Sequence, residues 1–244
     1  MANKIRVTIW NEYVHEVYED AVREIYPLGI HGCIKEFLEK LDVNGELEIR
    51  LAALADPDQG LPDEVLNNTD VLMWWGHCAH HEVDDGLVQR IKARVYDGGM
   101  GFIPMHSAHM SKPFREILGT SGKLLWGEDQ HEFIWNVRPG HPITAGIPEH
   151  IELDKEEMYG EPFMIPQPDE LLFISWFEQG YVFRSGCTYH RGRGKIFYFQ
   201  PGHEYCRSFY NEYVQRVLYN AVKWAAPNDF GCPMHNCDMR GSLV

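Results

Sequence analysis

Hydrophobic positions along the chain follow two periods. Ile5–Trp10 is a short β-branched run, the pattern of a buried strand. Within Cys33–Leu41, the apolar residues Ile34, Phe37, Leu38 and Leu41 share a helical face, and Leu47–Leu54 then alternates as a strand. Val71–Trp75 reads as a third strand. Val83, Leu87, Val88, Ile91 and Val95 recur at helical spacing until Gly98-Gly99 stop the helix. Gly101–Met105 is a fourth strand, although Pro104 deprives it of one ladder donor. A helix through Phe114, Ile117 and Leu118 follows. Such alternation predicts right-handed βαβ crossovers and a mostly parallel sheet.

From Leu124 to Arg193 the pattern changes. The runs His131–Val137, Glu170–Phe177 and Tyr181–Tyr189 are aromatic and strand-like, separated by Gly and Pro. They read as antiparallel additions to the sheet rather than a second independent domain. Lys195–Glu204 returns as a strand ending in Gly202-His203-Glu204, and Tyr213–Ala226 is an amphipathic closing helix. One domain is expected over residues 1–227, with a tail over 228–244. In that tail, Cys232, His235 and Cys237 make a weak zinc motif, because no fourth ligand is nearby.

Composition narrows the partners. The chain has 244 residues, 44% of them hydrophobic, and a formal net charge of −14. So acidic a protein is not expected to bind nucleic acid or an anionic membrane surface. No apolar run is long enough to span a bilayer, and the start of the sequence lacks a signal-peptide pattern. The six cysteines show no tight framework and read as free thiols of a reducing, cytoplasmic compartment.

Ligands of an open parallel sheet bind beyond the carboxyl ends of its strands. Here those ends carry Asn11-Glu12, Gly76-His77, His106-Ser107 and Gly202-His203-Glu204. In a flavodoxin-like strand order, His77, His106 and His203 converge on one edge. The stretch "WWGHCAHHEVDD" therefore lies where a site belongs. Of Trp74 and Trp75, one points to each side of the sheet.

The segments "WNEYVHE", "WWGHCAHHEV", "MHSAHMSKPF", "EEMYGEPF" and "FISWFEQGYVFRSGCTYHRGRGKIFYFQPGHE" closely resemble the trehalose-utilisation (ThuA-like) family, from about Ile5 to Pro227. The resemblance implies a class I glutamine-amidotransferase-like fold, an α/β three-layer sandwich with a mostly parallel central sheet and antiparallel additions. It also implies a role in bacterial use of trehalose and related disaccharides, alongside dehydrogenases that make 3-keto sugars. An amidotransferase of this fold carries a Cys nucleophile on the strained turn after a central strand. Here that turn reads "HSAH", with Cys78 one strand earlier, so glutamine hydrolysis is not expected. Ser107 is either a substitute nucleophile or an N-cap of the next helix.

Neutral imidazoles and carboxylates suit a divalent metal, zinc above all; no nucleotide cofactor is expected. His77, His106 and His203 are the expected metal ligands, with His80 and His109, three residues further on, as substitutes for the first two. Glu157 or Glu161 adds an oxygen or a base, or the two work as an acid–base pair. His203 and Glu204 form the pair expected to matter most, since a carboxylate beside an imidazole fixes its tautomer. Expected substrate contacts are Asn11, Trp75, His80, His109, Lys112, Tyr159 and Glu161, with Arg184 a further partner for sugar oxygens. The leading reading is an enzyme acting on a disaccharide or its 3-keto derivative by hydrolysis, elimination or isomerisation, working as a homo-oligomer. The competing reading is a non-catalytic sugar-binding or regulatory protein on the same scaffold.

Overall fold

In a computed structural model, which describes residues 4–227, the strands form one continuous nine-stranded sheet. The chain runs β1 (Ile5–Asn11), α1 (His15–Tyr18), α2 (Asp20–Ile25), α3 (Gly29–Leu41), β2 (Leu47–Ala53), α4 (Asp63–Asn67), β3 (Val71–Trp75), α5 (Asp85–Tyr96), β4 (Gly101–Met105) and α6 (Lys112–Leu118). It continues through β5 (Leu125–Asn136), β6 (His150–Gly160), β7 (Glu170–Phe177), β8 (Val182–Arg191), β9 (Gly194–Phe199) and α7 (Glu212–Ala225). The spatial order is β2-β1-β3-β4-β9-β8-β7-β5-β6. Strands β2, β1, β3, β4 and β9 pair in parallel, whereas β9, β8, β7, β5 and β6 pair antiparallel. The Cys232/His235/Cys237 reading lies outside the described residues.

Strand alternation sends successive side chains to opposite faces, and each face is covered by helices. Val7, Ile9, Met73, Trp75 and Ile103 pack with Ile30, Ile34 and Leu38 of α3 and Val214, Val217 and Leu218 of α7. Trp10, Leu72, Trp74 and Phe102 pack on the other side with Leu87, Ile91 and Val95 of α5 and Phe114 and Ile117 of α6. The result is a three-layer α/β sandwich. Trp74 and Trp75 do part to opposite faces, and both are fully buried. Trp74 stacks on Trp10 at 3.7 Å between ring centroids.

Strand β4 sits in the middle of the sheet in spite of Pro104. Its ladder to β9 is registered at Phe102↔Ile196 and Met105↔Phe199, on either side of the proline. The antiparallel run does not fold apart; it prolongs the same sheet beyond β9. No helix among the described residues is long and apolar enough to cross a membrane.

Candidate metal and sugar site

The parallel strands β3, β4 and β9 lie side by side, so their carboxyl ends deliver His77, His106 and His203 to one place. The three rings are 5.3–5.9 Å apart between centroids. Strand β6 adds Glu157. Ligating atoms of His77, His106, Glu157 and His203 all lie within 4.8 Å of one another. Glu157 and His203 also line a cleft of about 410 Å³ together with Trp126, Gly127, Glu128 and Asp129.

His106 occupies the strained turn. It follows β4 with φ of 51°, a conformation non-glycine side chains rarely adopt, and it is 0% exposed. The residue at the elbow is thus an imidazole, and Ser107 is one position past it. Ser107 does not cap α6 either: Ser111 does, accepting from Phe114 N. The Ser107 hydroxyl is instead 3.0 Å from the Tyr159 hydroxyl, and Tyr159 stacks on the His106 ring at 5.2 Å. Burial pushes the Tyr159 phenol well above its ordinary range, so it stays neutral.

Outer contacts orient the imidazoles. His106 Nδ1 is 3.1 Å from the Gln200 carbonyl, an acceptor that only a protonated Nδ1 satisfies, which turns Nε2 toward Glu157 and the Tyr159 hydroxyl, 3.5 Å away. That Nε2 is 3.1 Å from Glu157 Oε2. The contact is not aligned as a hydrogen bond, and Glu157 Oε2 is buried with no hydrogen-bond partner among the described residues. His77 Nδ1 lies 2.9 Å from Glu204 Oε1, again off the ideal line, while His15 Nε2 lies 3.4 Å from the same oxygen. Glu204 is therefore the buried carboxylate behind His77, 3.7 Å from the Nε2 of its own neighbour His203.

Charge follows from this packing. Burial alone depresses the His106 imidazolium, yet contact with Glu157 and the charges of Glu157, Glu156 and Glu204 raise it to about 9. Burial raises the Glu204 carboxyl, but His77, His203 and His15 outweigh it and bring it down to about 2. Burial and the charge of His106 hold His203 below the usual imidazole range. The pocket favours positive charge near Glu157, as a proton or as a cation.

Other expected site residues lie elsewhere or do other work. His109 is buried against aromatic rings, donates Nδ1–H to the Gly122 carbonyl at 2.7 Å, and is depressed by burial to about 3. His80 sits on a short 3-10 turn and is depressed by burial to about 4. Neither joins the four-residue cluster. Trp75 is buried and donates Nε1–H to the Gly202 carbonyl at 2.9 Å. Asn11 is buried and donates to Glu16 at 2.7 Å. Lys112 binds Asp85 and the Val83 carbonyl, away from the cluster. Glu161 grips Arg184 through both oxygens at 2.7 and 2.9 Å and does not join the four-residue cluster.

Of three supporting residues, sequence reasoning marked Glu12 as a strand-end residue and missed His15 and Glu156. Glu12 is buried and accepts the backbone N–H groups of Cys78 and Ala79, at 2.8 and 3.0 Å, pinning the loop behind His77. His15 reaches Glu204. Glu156 accepts from Gly202 N at 2.9 Å, His203 N at 3.1 Å and the Ser208 hydroxyl, and so holds the turn that carries His203. Their one signal was polarity inside otherwise apolar or strand-end segments: "WNEYVHE" and the first glutamate of "EEMYGE".

Thiol chemistry has no support here. Cys33, Cys78, Cys187 and Cys206 are free. Burial pushes Cys33 up to about 11, and Cys78 and Cys187 to about 12; Cys206, 3.9 Å from His203 Nδ1, is pushed up by the same cause. A thiolate nucleophile needs the opposite shift.

Sandwich layers, strand order and a strained elbow after β4 give an α/β fold of the class I glutamine-amidotransferase-like kind, with an imidazole at the elbow. The structure is similar to a glutamine amidotransferase from Thermotoga maritima (11% identity, TM-score 0.54, covering 91% of this chain and 98% of that one). It is also similar to ThuA-like proteins from Bacteroides uniformis (16% identity, TM-score 0.62, 91% of both chains) and Parabacteroides merdae (14% identity, TM-score 0.62, 91% and 90%). No curated protein matches the sequence. The ThuA family model, described as trehalose utilisation, matches residues 6–225, and the chain belongs to that family.

Proposed function

We propose that the protein is an enzyme of disaccharide utilisation, acting on trehalose or a related disaccharide in its 3-keto form by metal-assisted elimination of the glycosidic oxygen. The observation that carries this reading is the convergence of His77, His106, Glu157 and His203 within 4.8 Å at the wall of a cleft. The donor set fits a divalent cation of the zinc type: nitrogen and oxygen ligands, an orphaned buried carboxylate oxygen, and outer acceptors behind two of the imidazoles. A cation held there supplies Lewis acidity to a keto oxygen and so acidifies the adjacent C–H.

The chain's own groups handle the proton. His203 and Glu157 serve as ligands in this reading and leave the base role to Asp129. Its Oδ2 is held by Lys155 Nζ at 2.7 Å, and its Oδ1 lies 3.7 Å from His203 Nδ1 on the cleft wall. Asp129 takes the proton from the carbon next to the carbonyl and returns it to the departing glycosidic oxygen. Glu204 and the Gln200 carbonyl keep His77 and His106 from rotating.

Metal analysis of purified protein, followed by incubation with trehalose and 3-keto-trehalose, tests the reading. About one divalent ion per chain and cleavage of the keto sugar are expected. His203→Ala should fold, lose the ion, and lose at least about tenfold in turnover, roughly 1.4 kcal/mol of barrier. Full metal content and unchanged turnover in that variant would sink both the ligand and the catalytic assignment. Tight binding of one sugar without cleavage would make the protein a binding protein instead.

A further inference from the structure

We infer that Trp126 is a sugar-stacking platform at the mouth of this cleft, set there by a β-bulge. The inference rests on the sugar reading above. Trp126 is 68% exposed, unlike the fully buried Trp74 and Trp75, and it lines the same cleft as Glu157 and His203.

The strand register explains its placement. In the β5–β6 ladder Trp126 opposes Tyr159 and Asp129 opposes Glu157. Directly opposed residues share a face, and so do Tyr159 and Glu157, two apart on β6. Trp126 and Asp129 are three apart, so a regular strand would send them to opposite faces. The register shift between Gly127 and Asp129 inserts Glu128 as an extra residue. It turns both Trp126 and Asp129 toward the face that carries Glu157, the kind of re-aiming for which bulges beside active sites are known.

The chemistry of this rim selects its ligand. A large ring left in water forfeits the burial that most tryptophans gain, so its exposure at a cleft points to an occupant. Glu128 and Asp129 flank it, and carboxylates only accept hydrogen bonds. Together they repel an anion and accept from hydroxyls, while the indole face meets the C–H face of a pyranose ring. The cleft, about 410 Å³, is of the size that takes a small ligand. The aromatic residues that sequence reasoning favoured, Trp75 and Tyr159, are buried and cannot do this.

The test is calorimetric titration of trehalose and of 3-keto-trehalose into the metal-loaded full chain, as wild type, Trp126→Ala and Trp126→Phe, with metal content measured in each. Trp126→Ala should weaken binding about tenfold or more at unchanged metal content, and Trp126→Phe should stay within about threefold of wild type. Wild-type binding with unaltered affinity in Trp126→Ala overturns the platform and leaves the functional reading standing. A wild type that binds neither sugar overturns both. Loss of the ion from Trp126→Ala assigns the indole to the architecture of the metal cluster and overturns its role as a platform.

Discussion

Two buried ionisable side chains are treated in opposite ways. His106 has a carbonyl behind it and a carboxylate in front, and its burial is compensated. Glu132, on β5, is also fully buried, but its carboxyl oxygens have no hydrogen-bond partner among the described residues. Burial, with the charge of Glu156 adding to it, pushes the Glu132 carboxyl well above its ordinary range. Above about pH 4.5 the unfolded chain releases this proton while the folded chain keeps it, so the group costs stability as pH rises from there to the folded value. Glu132→Gln should therefore stabilise the protein at pH 7.5 and have no effect at pH 4. Urea unfolding at the two pH values checks it; equal stabilisation at both would show that the carboxyl is not the source. Residues of this kind are opaque in the sequence. His77, His106 and His203 were legible because strand ends of a parallel sheet converge. Glu132 and Glu156 were not, because nothing local distinguishes a buried glutamate from a solvated one on an alternating strand.

Among the elements, the turn after β9 is the most constrained. Gly202 has φ of +138°, and a Cβ there would lie 2.6 Å from the Phe209 ring. Trp75 holds the Gly202 carbonyl and Glu156 holds its N–H. Gly202→Ala should cost about 1–3 kcal/mol of stability through strain and shift His203, with metal affinity falling in the same variant. A stable Gly202→Ala protein with normal metal content would show that the turn has slack. Glu156→Gln removes the carboxylate that receives the Gly202 and His203 N–H groups, and should weaken metal binding while leaving the sheet intact by circular dichroism. The parallel strands were readable from their periodicity, as were the helices between them. The β5 bulge was not, since an extra residue leaves no mark on an already irregular "LWGEDQHEF". Nor was the order of the antiparallel strands, which depends on pairing partners far apart in sequence.

For the molecule as a whole, the cluster ties two halves of the sheet together. His77, His106 and His203 come from the parallel half, and Glu157 comes from β6 at the far edge of the antiparallel run. A ligand that binds only the folded state stabilises it by mass action, about 2.7 kcal/mol at a hundredfold excess over its Kd. Removing the ion with a chelator should then lower Tm by about 5–10 °C, and restoring zinc should reverse the change. A Tm indifferent to chelator would mean that the cluster holds no ion in solution.

The spread of those four residues has a temporal side. A nascent chain emerges in order, and the sheet places β9 between β4 and β8, so β4 has its final neighbour only after β9 has been synthesised. The set from residue 77 to residue 203 is incomplete until then. Segments emerging earlier carry at most part of the set. In the metal-dependent reading proposed above, loading belongs to the last stage of maturation, and a truncated translation product ending before residue 203 lacks the complete set.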